Sequence, residues 1–403
     1  MARLDPFPAI RYDPARVDAD DVVAPPYDVV GPAERARLAA RSPYNAVHLD
    51  LPLPDPSSAL DQYENAARTF HGWLGSGVVR RDLLPALYVY RMTFHDDHGR
   101  RRVMTGLLGA LGLDLEDPGE VLPHEQTTPK DRLDRLSLLR STRTNTSPIW
   151  GLSLAKGLAS ACREALSQAG EPSWRAVDDA SVVHELWPTT DQRRLAEITE
   201  LCAGAKVIIA DGHHRYETAR IYARECRARN GDRPGSHDFT LAFVVELSED
   251  ELSIRAVHRL EKGVTPERLY ELIAPWYRIE PAPEDLIALP ATSAPGVIGL
   301  FTRDGYKLLY PLPALEEATE DDLDSSRLSV VLNRLPEHEL TYETGWYEAA
   351  AAVREGRADA AFLLRPVPVA KIEAVADGGR LMAPKSTYFQ PKPRTGMAFR
   401  SLD

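Results

Sequence analysis

The 403-residue chain has no run of about 18 apolar residues, and its N-terminus, MARLDPFPAIRYDP, has neither a basic nor an apolar leader region. A membrane span and a secretory leader are therefore not expected. Cysteine is scarce: Cys162, Cys202 and Cys226 are an odd, widely spaced set with no CxxC pair and no metal-ligand spacing, so a reducing, cytoplasmic setting fits best. Cationic charge is the minority sign, 48 Lys and Arg against 60 Asp and Glu, net −12. That balance disfavours a broad nucleic-acid footprint, which Lys and Arg would have to supply, while leaving a local basic pocket open. Neither G-x-x-x-x-G-K-[ST] nor G-x-G-x-x-G occurs, so P-loop and Rossmann mechanisms lack their glycine cradle. A G-x-S-x-G elbow and an HExxH helix are also missing, which argues against an α/β-type serine hydrolase and a zincin. No tandem repeat is visible.

What is present is an ordinary globular composition, 43% hydrophobic and 27% charged, in a chain long enough for two domains. Leu60, Tyr63, Ala67, Phe70 and Leu74 recur at helical spacing and end in Gly75 and Gly77. The runs ALYVYRMTF (86–94) and RRVMTGLLGALGL (101–113), parted by a turn-like DDHG, predict an antiparallel pair. Helices are expected over 158–168 and 191–202, and a buried strand over 206–210 leads into another. From Phe239 the chain turns β-rich, with helical stretches at 266–274 and 323–335. NGDRPGSHD breaks the pattern, which sets a boundary near 230–238 and domains at 1–235 and 236–403. The expected class is α+β.

The sharpest motif is ADGHHRYETA, 210–219, which follows an apolar strand and opens a helix. Free N–H groups and the positive dipole end at a helix N-terminus form an anion site, and Gly212 lets the chain turn closely. His213, His214 and Arg215 add donors; Asp211 could orient a histidine or hold a metal ion. The bland alternative is that these groups only cap the strand and helix. A second constellation, His124, Glu125, Thr127, Lys130, Arg132 and Arg135, mixes the cations and carboxylate that phosphoryl transfer needs, with Glu125 as a candidate base. Pairing of Glu125 with Lys130 or Arg132 on a solvated helix start is the competing explanation. Proline-stiffened APPYDVV, read as extended, offers Tyr27 and Asp28. PKSTYFQPK offers Lys385, Ser386, Thr387 and Lys392 as donors, and His258 with Arg259 could make second anion contacts.

DGHHRYETA resembles the phosphate-binding turn of the ParB and sulfiredoxin superfamily, which includes free serine kinases. The set APPYDV, HEQT with KDRL, NTSPI, ADGHHRYETA, VHRL and PKSTYFQPK resembles, over nearly the whole chain, a large prokaryotic family of unknown function. The resemblance implies a mixed-sheet ParB-like core with large insertions and a second α/β lobe whose C-terminal segment returns to the site. It places phosphate against Gly212, His213, His214 and Arg215, with Asp211 beside it. It further implies ATP or ADP with Mg2+, and a kinase acting on a small hydroxylated metabolite such as free L-serine; no position beyond that turn carries over, and Glu125 or Asp28 as the group that activates the hydroxyl comes from the residues alone. A ParB-like nucleotide switch, and a phosphatase or nucleotidase, are the alternatives; self-association is left open.

Overall fold

The computed structural model describes residues 2–55, 57–96, 99–115, 119–123, 129–288, 290, 293–319, 322–377, 382 and 385–403. Contacts divide the chain into two units: Met1–Leu252 with Pro391–Asp403, and Ser253–Gln390. Both are mixed α and β, built on multi-stranded sheets. Among the described residues no helix is long and apolar enough to cross a membrane.

The first unit is organised on a nine-stranded sheet. In spatial order its strands are Val121–Leu122, Val207–Asp211, Ile149–Ser153, Phe239–Glu246, Arg101–Gly112, Leu87–His95, Val183–Thr189 and Trp174–Val177. Leu4–Asp5 pairs on the long strand at Leu111 and Ala110. The expected antiparallel pair is present, from Tyr88 opposite Leu108 to His95 opposite Arg101. Two contacts are parallel, Phe239–Glu246 on Ile149–Ser153 and Val207–Asp211 on Val121–Leu122, so the sheet is mixed.

Helices Leu158–Ser167, Gln192–Ala203 and His213–Asn230 lay their apolar faces on one side of this sheet. Cys162, Ile198, Cys202, Tyr216, Ala219 and Ala223 meet Val89, Leu107, Val207, Ile209 and Val244 in one buried cluster. Burial pushes the Cys202 thiol up to about 12, so it packs as a small apolar group. The helix read near the N-terminus runs Gln62–Gly75. It starts at a capping box, with Asp61 accepting from the Tyr63 and Glu64 amides while Glu64 accepts from the Asp61 amide.

The boundary expected at 235 falls inside this unit. Phe239–Glu246 is an interior strand hydrogen-bonded on both sides, and the loop before it only returns the chain to the sheet. APPYDVV also differs from its extended reading. The proline pair is extended, with Pro26 at φ −56° and ψ 146°, but Tyr27–Val29 closes into a single 3-10 turn. Proline restrains its own φ and the residue before it, and nothing restrains the residues after it.

The second unit carries a six-stranded antiparallel sheet in the order Tyr277–Pro281, Gly305–Pro311, Ile298–Thr302, Ala360–Leu363, His258–Lys262 and Glu339–Glu343. Helices Pro266–Ile273 and Asp324–Leu332 pack into one apolar cluster, and the alanine-rich Trp346–Arg354 into another.

Candidate functional site

Local geometry at DGHHR follows from three successive features. Val207, Ile208, Ile209 and Ala210 are buried, which fixes the strand in the sheet. Its register against Ile149–Ser153 then shifts between Ile209 and Asp211, so one extra residue re-aims the Asp211 carboxylate. Gly212 follows in the left-handed region at φ +89°, and a Cβ there would sit 3.0 Å from Nε and Nη2 of Arg215. Glycine is required on both counts, since an L side chain would strain the backbone and press the guanidinium. His213 begins an 18-residue helix that receives no side-chain cap from Gly212 and has no acid in its first turn. The dipole's positive end is therefore not neutralised from within its own helix.

Charged groups converge on that turn. Arg215 Nη2 donates to Asp211 Oδ2 at 2.7 Å, and Arg215 Nη1 donates to the Pro148 carbonyl. Lys392 Nζ contacts Asp211 Oδ1 and lies 3.2 Å from Asp28 Oδ2. The side chains of Arg215, Lys392 and Asp211 are about nine-tenths buried, whereas Asp28 stays open to solvent. Arg215 Nε is buried without an acceptor. Burial alone would lower the Arg215 pKa, but Asp211 first and Asp28 next outweigh it, so the guanidinium stays charged. Tyr27 lies beneath two arginines, its ring centroid 4.1 Å from Cζ of Arg135 and 5.9 Å from that of Arg215. Burial pushes its hydroxyl up to about 12, against the pull of both arginines.

Behind the turn lies a polar cavity of about 40 Å³, lined in part by Asp50, Arg135, Asn145, Thr146, Ser147 and Arg215. At about 10–15 Å³ each, it has room for a few waters. Asp50 is only 2% exposed and is fully engaged. It accepts from Thr146 Oγ1 at 2.8 Å, Ser147 Oγ at 3.2 Å and Thr395 Oγ1 at 3.2 Å, with Arg135 Nη1 3.6 Å away. Arg135 also donates to the Asp50 carbonyl at 2.7 Å and to Asp134.

Of the residues singled out from sequence, Asp28, Asp211, Gly212, Arg215 and Lys392 come together here, with Tyr27 and Arg135 alongside. His213 is buried and His214 half-buried in the first helical turn. Arg132 lies on helix Pro129–Thr142, where its carbonyl accepts from Thr218 Oγ1 at 3.4 Å. Lys130 is on that helix too, its side chain outside the described residues, as are His124, Glu125 and Thr127 altogether. Lys385, Ser386 and Thr387 belong to the second unit, where Ser386 shares a 3.1 Å hydrogen bond with Ser325. His258 and Arg259 are there as well. The His258 Nδ1 accepts from the Leu364 amide, and burial lowers its pKa to about 3; Arg259 stacks over Tyr342 at 4.9 Å.

Asp50 and Thr395 have no motif around them, while Thr146 and Ser147 lie in NTSPI. The one available signal was the polar crowding of NTSPI, which supplies two of Asp50's donors and the carbonyl held by Arg215. Among the described residues no group of three or more His, Cys, Asp or Glu is arranged to hold a metal, and both Asp211 oxygens face cations. Among the described residues the donor set does not fit a protein-held metal centred on Asp211.

No curated protein matches the chain. Among solved structures, a conserved hypothetical protein from Pyrococcus furiosus is 15% identical, with 70% of this chain and 90% of that one covered at a TM-score of 0.38. A free serine kinase in complex with AMP is 15% identical, covering 70% and 86% at 0.37. SbnI with a C-terminal truncation, from Staphylococcus aureus, is 17% identical, covering 71% and 84% at 0.39. The pattern of the family described as "Protein of unknown function (DUF1015)" matches residues 4–331, more than half of the sequence, and the chain belongs to that family.

Proposed function

We propose that the first unit is a ParB/sulfiredoxin-like phosphotransferase core that moves a phosphoryl group from ATP or ADP to a small hydroxylated metabolite such as free L-serine. The observation that carries this is Arg215: a charged, buried guanidinium beside a helix N-terminus that opens on Gly212, with Nε lacking an acceptor. The likeness of DGHHRYETA to a phosphate-binding turn supports the same reading.

In this reading the first-turn amides, His213, His214 and Arg215 hold the phosphate, and Lys392 moves from Asp211 to the phosphate oxygens. Positioning and charge neutralisation do most of the work. The acceptor hydroxyl oxygen bonds to the terminal phosphorus, the bond to the leaving nucleotide breaks, and the proton passes to a carboxylate. Asp28 takes it in this reading, which its solvent-open position 3.2 Å from Lys392 supports; Glu125 is the second candidate. Mg2+ enters as the nucleotide's own counter-ion, since the described residues do not form a metal cage.

The test is a transfer screen with purified protein, Mg2+, ATP or ADP and a panel of hydroxylated amino acids and small alcohols, read by mass spectrometry. A phosphorylated acceptor is expected, with turnover falling roughly 100-fold or more in Arg215→Ala and Lys392→Met. Near-normal turnover in both folded variants would overturn the assignment of these groups. Phosphate release without acceptor would favour a phosphatase, and nucleotide binding without transfer a switch.

A further inference from the structure

Arg400 is 5% exposed and has no acidic partner. Its Nη2 donates to the Ser236 carbonyl at 2.7 Å, and its Nη1 to the Phe239 carbonyl at 3.0 Å and to Asn145 Oδ1 at 3.3 Å. All three acceptors are neutral, and Nε is buried with no acceptor at all. Burial draws its pKa down to about 10 although Asp5 is near, so the guanidinium remains charged at neutral pH without a counter-ion in contact.

The same guanidinium-bearing residue lines a cavity of about 220 Å³, separate from the one behind DGHHR. Arg81, exposed and without a side-chain hydrogen bond or ion pair, lines it too. The two acids on its wall are already neutralised by other arginines. Asp5 is held by Arg3 at 2.8 and 2.6 Å, and Asp403 by Arg143. The cavity wall thus carries Arg400 and Arg81 without a carboxylate in contact, beside two aspartates that are paired with other arginines.

We propose that this cavity binds a small metabolite through a carboxylate or phosphate group, with Arg400 as the buried anchor and Arg81 at the rim. A forked guanidinium takes either oxyanion through paired N–H bonds. At about 10–15 Å³ per water, the volume suits a ligand of up to roughly 15–20 heavy atoms and not a polymer.

The test is titration calorimetry of the full chain with inorganic phosphate and with succinate, which separates the two oxyanions. At least one should bind saturably, both in the wild type and in Arg215→Ala, so this site stands apart from the proposed catalytic one. Affinity should fall at least tenfold in Arg400→Met and in Arg81→Glu. Arg81 is exposed, so its variant keeps the test decisive even where Arg400→Met fails to fold. Absence of saturable binding by either probe, unchanged affinity in Arg81→Glu, or binding that vanishes in Arg215→Ala would each overturn the proposal.

Discussion

Gly212→Ala offers a quantitative check on how the DGHHR turn is built. At φ +89° an alanine costs about 1–2 kcal/mol in backbone strain. Its Cβ would also lie 3.0 Å from Nε and Nη2 and 3.1 Å from Cζ of Arg215, so the clamped guanidinium must give by a few tenths of an ångström. Relief requires Arg215 to back away from Asp211 or from the Pro148 carbonyl. Losing one such charged hydrogen bond adds about 1.5–3 kcal/mol. The total loss should be about 2.5–5 kcal/mol in the wild type, and only the backbone share in an Arg215→Ala background, where no guanidinium is displaced. Native-state hydrogen exchange of peptides from residues 207–230 reads these values where they arise. The double-mutant cycle should show coupling of about 1.5–3 kcal/mol. Costs that add within about 0.5 kcal/mol would refute the claim that Gly212 is required by Arg215 as well as by φ.

Two further outcomes are expected. Glu261 is buried with Oε2 lacking a partner, and burial, with Asp359 adding, raises its carboxyl from 4.5 to about 7. A pKa raised on folding contributes stability that is complete below the unfolded value near 4.5 and is lost as pH rises through about 7. Urea unfolding of the second unit, followed by hydrogen exchange between pH 4.5 and 8, should therefore show falling stability that Glu261→Gln flattens; an identical slope in the variant would count against this. In the first sheet, a Cβ on Gly151 would sit 2.6 Å from Val207 Cγ1, so Gly151→Ala should cost about 1–3 kcal/mol by overpacking. Combined with Val207→Ala, it should cost less than the sum of the two single variants, and costs that simply add would contradict the contact.

The elements were legible where pattern and packing agree. The helices at 158–168 and 191–202 appear within a residue or two because their apolar stripes face the sheet they pack on. The turn at DGHHR was legible because strand, glycine and helix start are contiguous. What was hidden is assembled from distant segments. PKSTYFQPK reads as one donor cluster, yet the division between units falls after Gln390, so Lys392 reaches Asp211 while Lys385 to Thr387 belong to the second unit. Asp50 sits in an unremarked HLDLPLP stretch. Its burial depends on hydroxyls nearly a hundred residues away at Thr146 and Ser147, and on Thr395 beyond the second unit, pairings that no local window contains.

The position of Lys392 also sets a schedule. It is encoded 181 residues after Asp211, with the whole second unit between them. At about 5–20 residues per second of synthesis, Asp211 precedes its lysine by roughly 10–35 s. Through that interval the nascent first unit has Asp28 and Asp211 without the cation that joins them, and Asp50 without Thr395. The sheet can form early, but the charge network of the site closes only after the second unit has been made, so assembly of the pocket reports on synthesis past it.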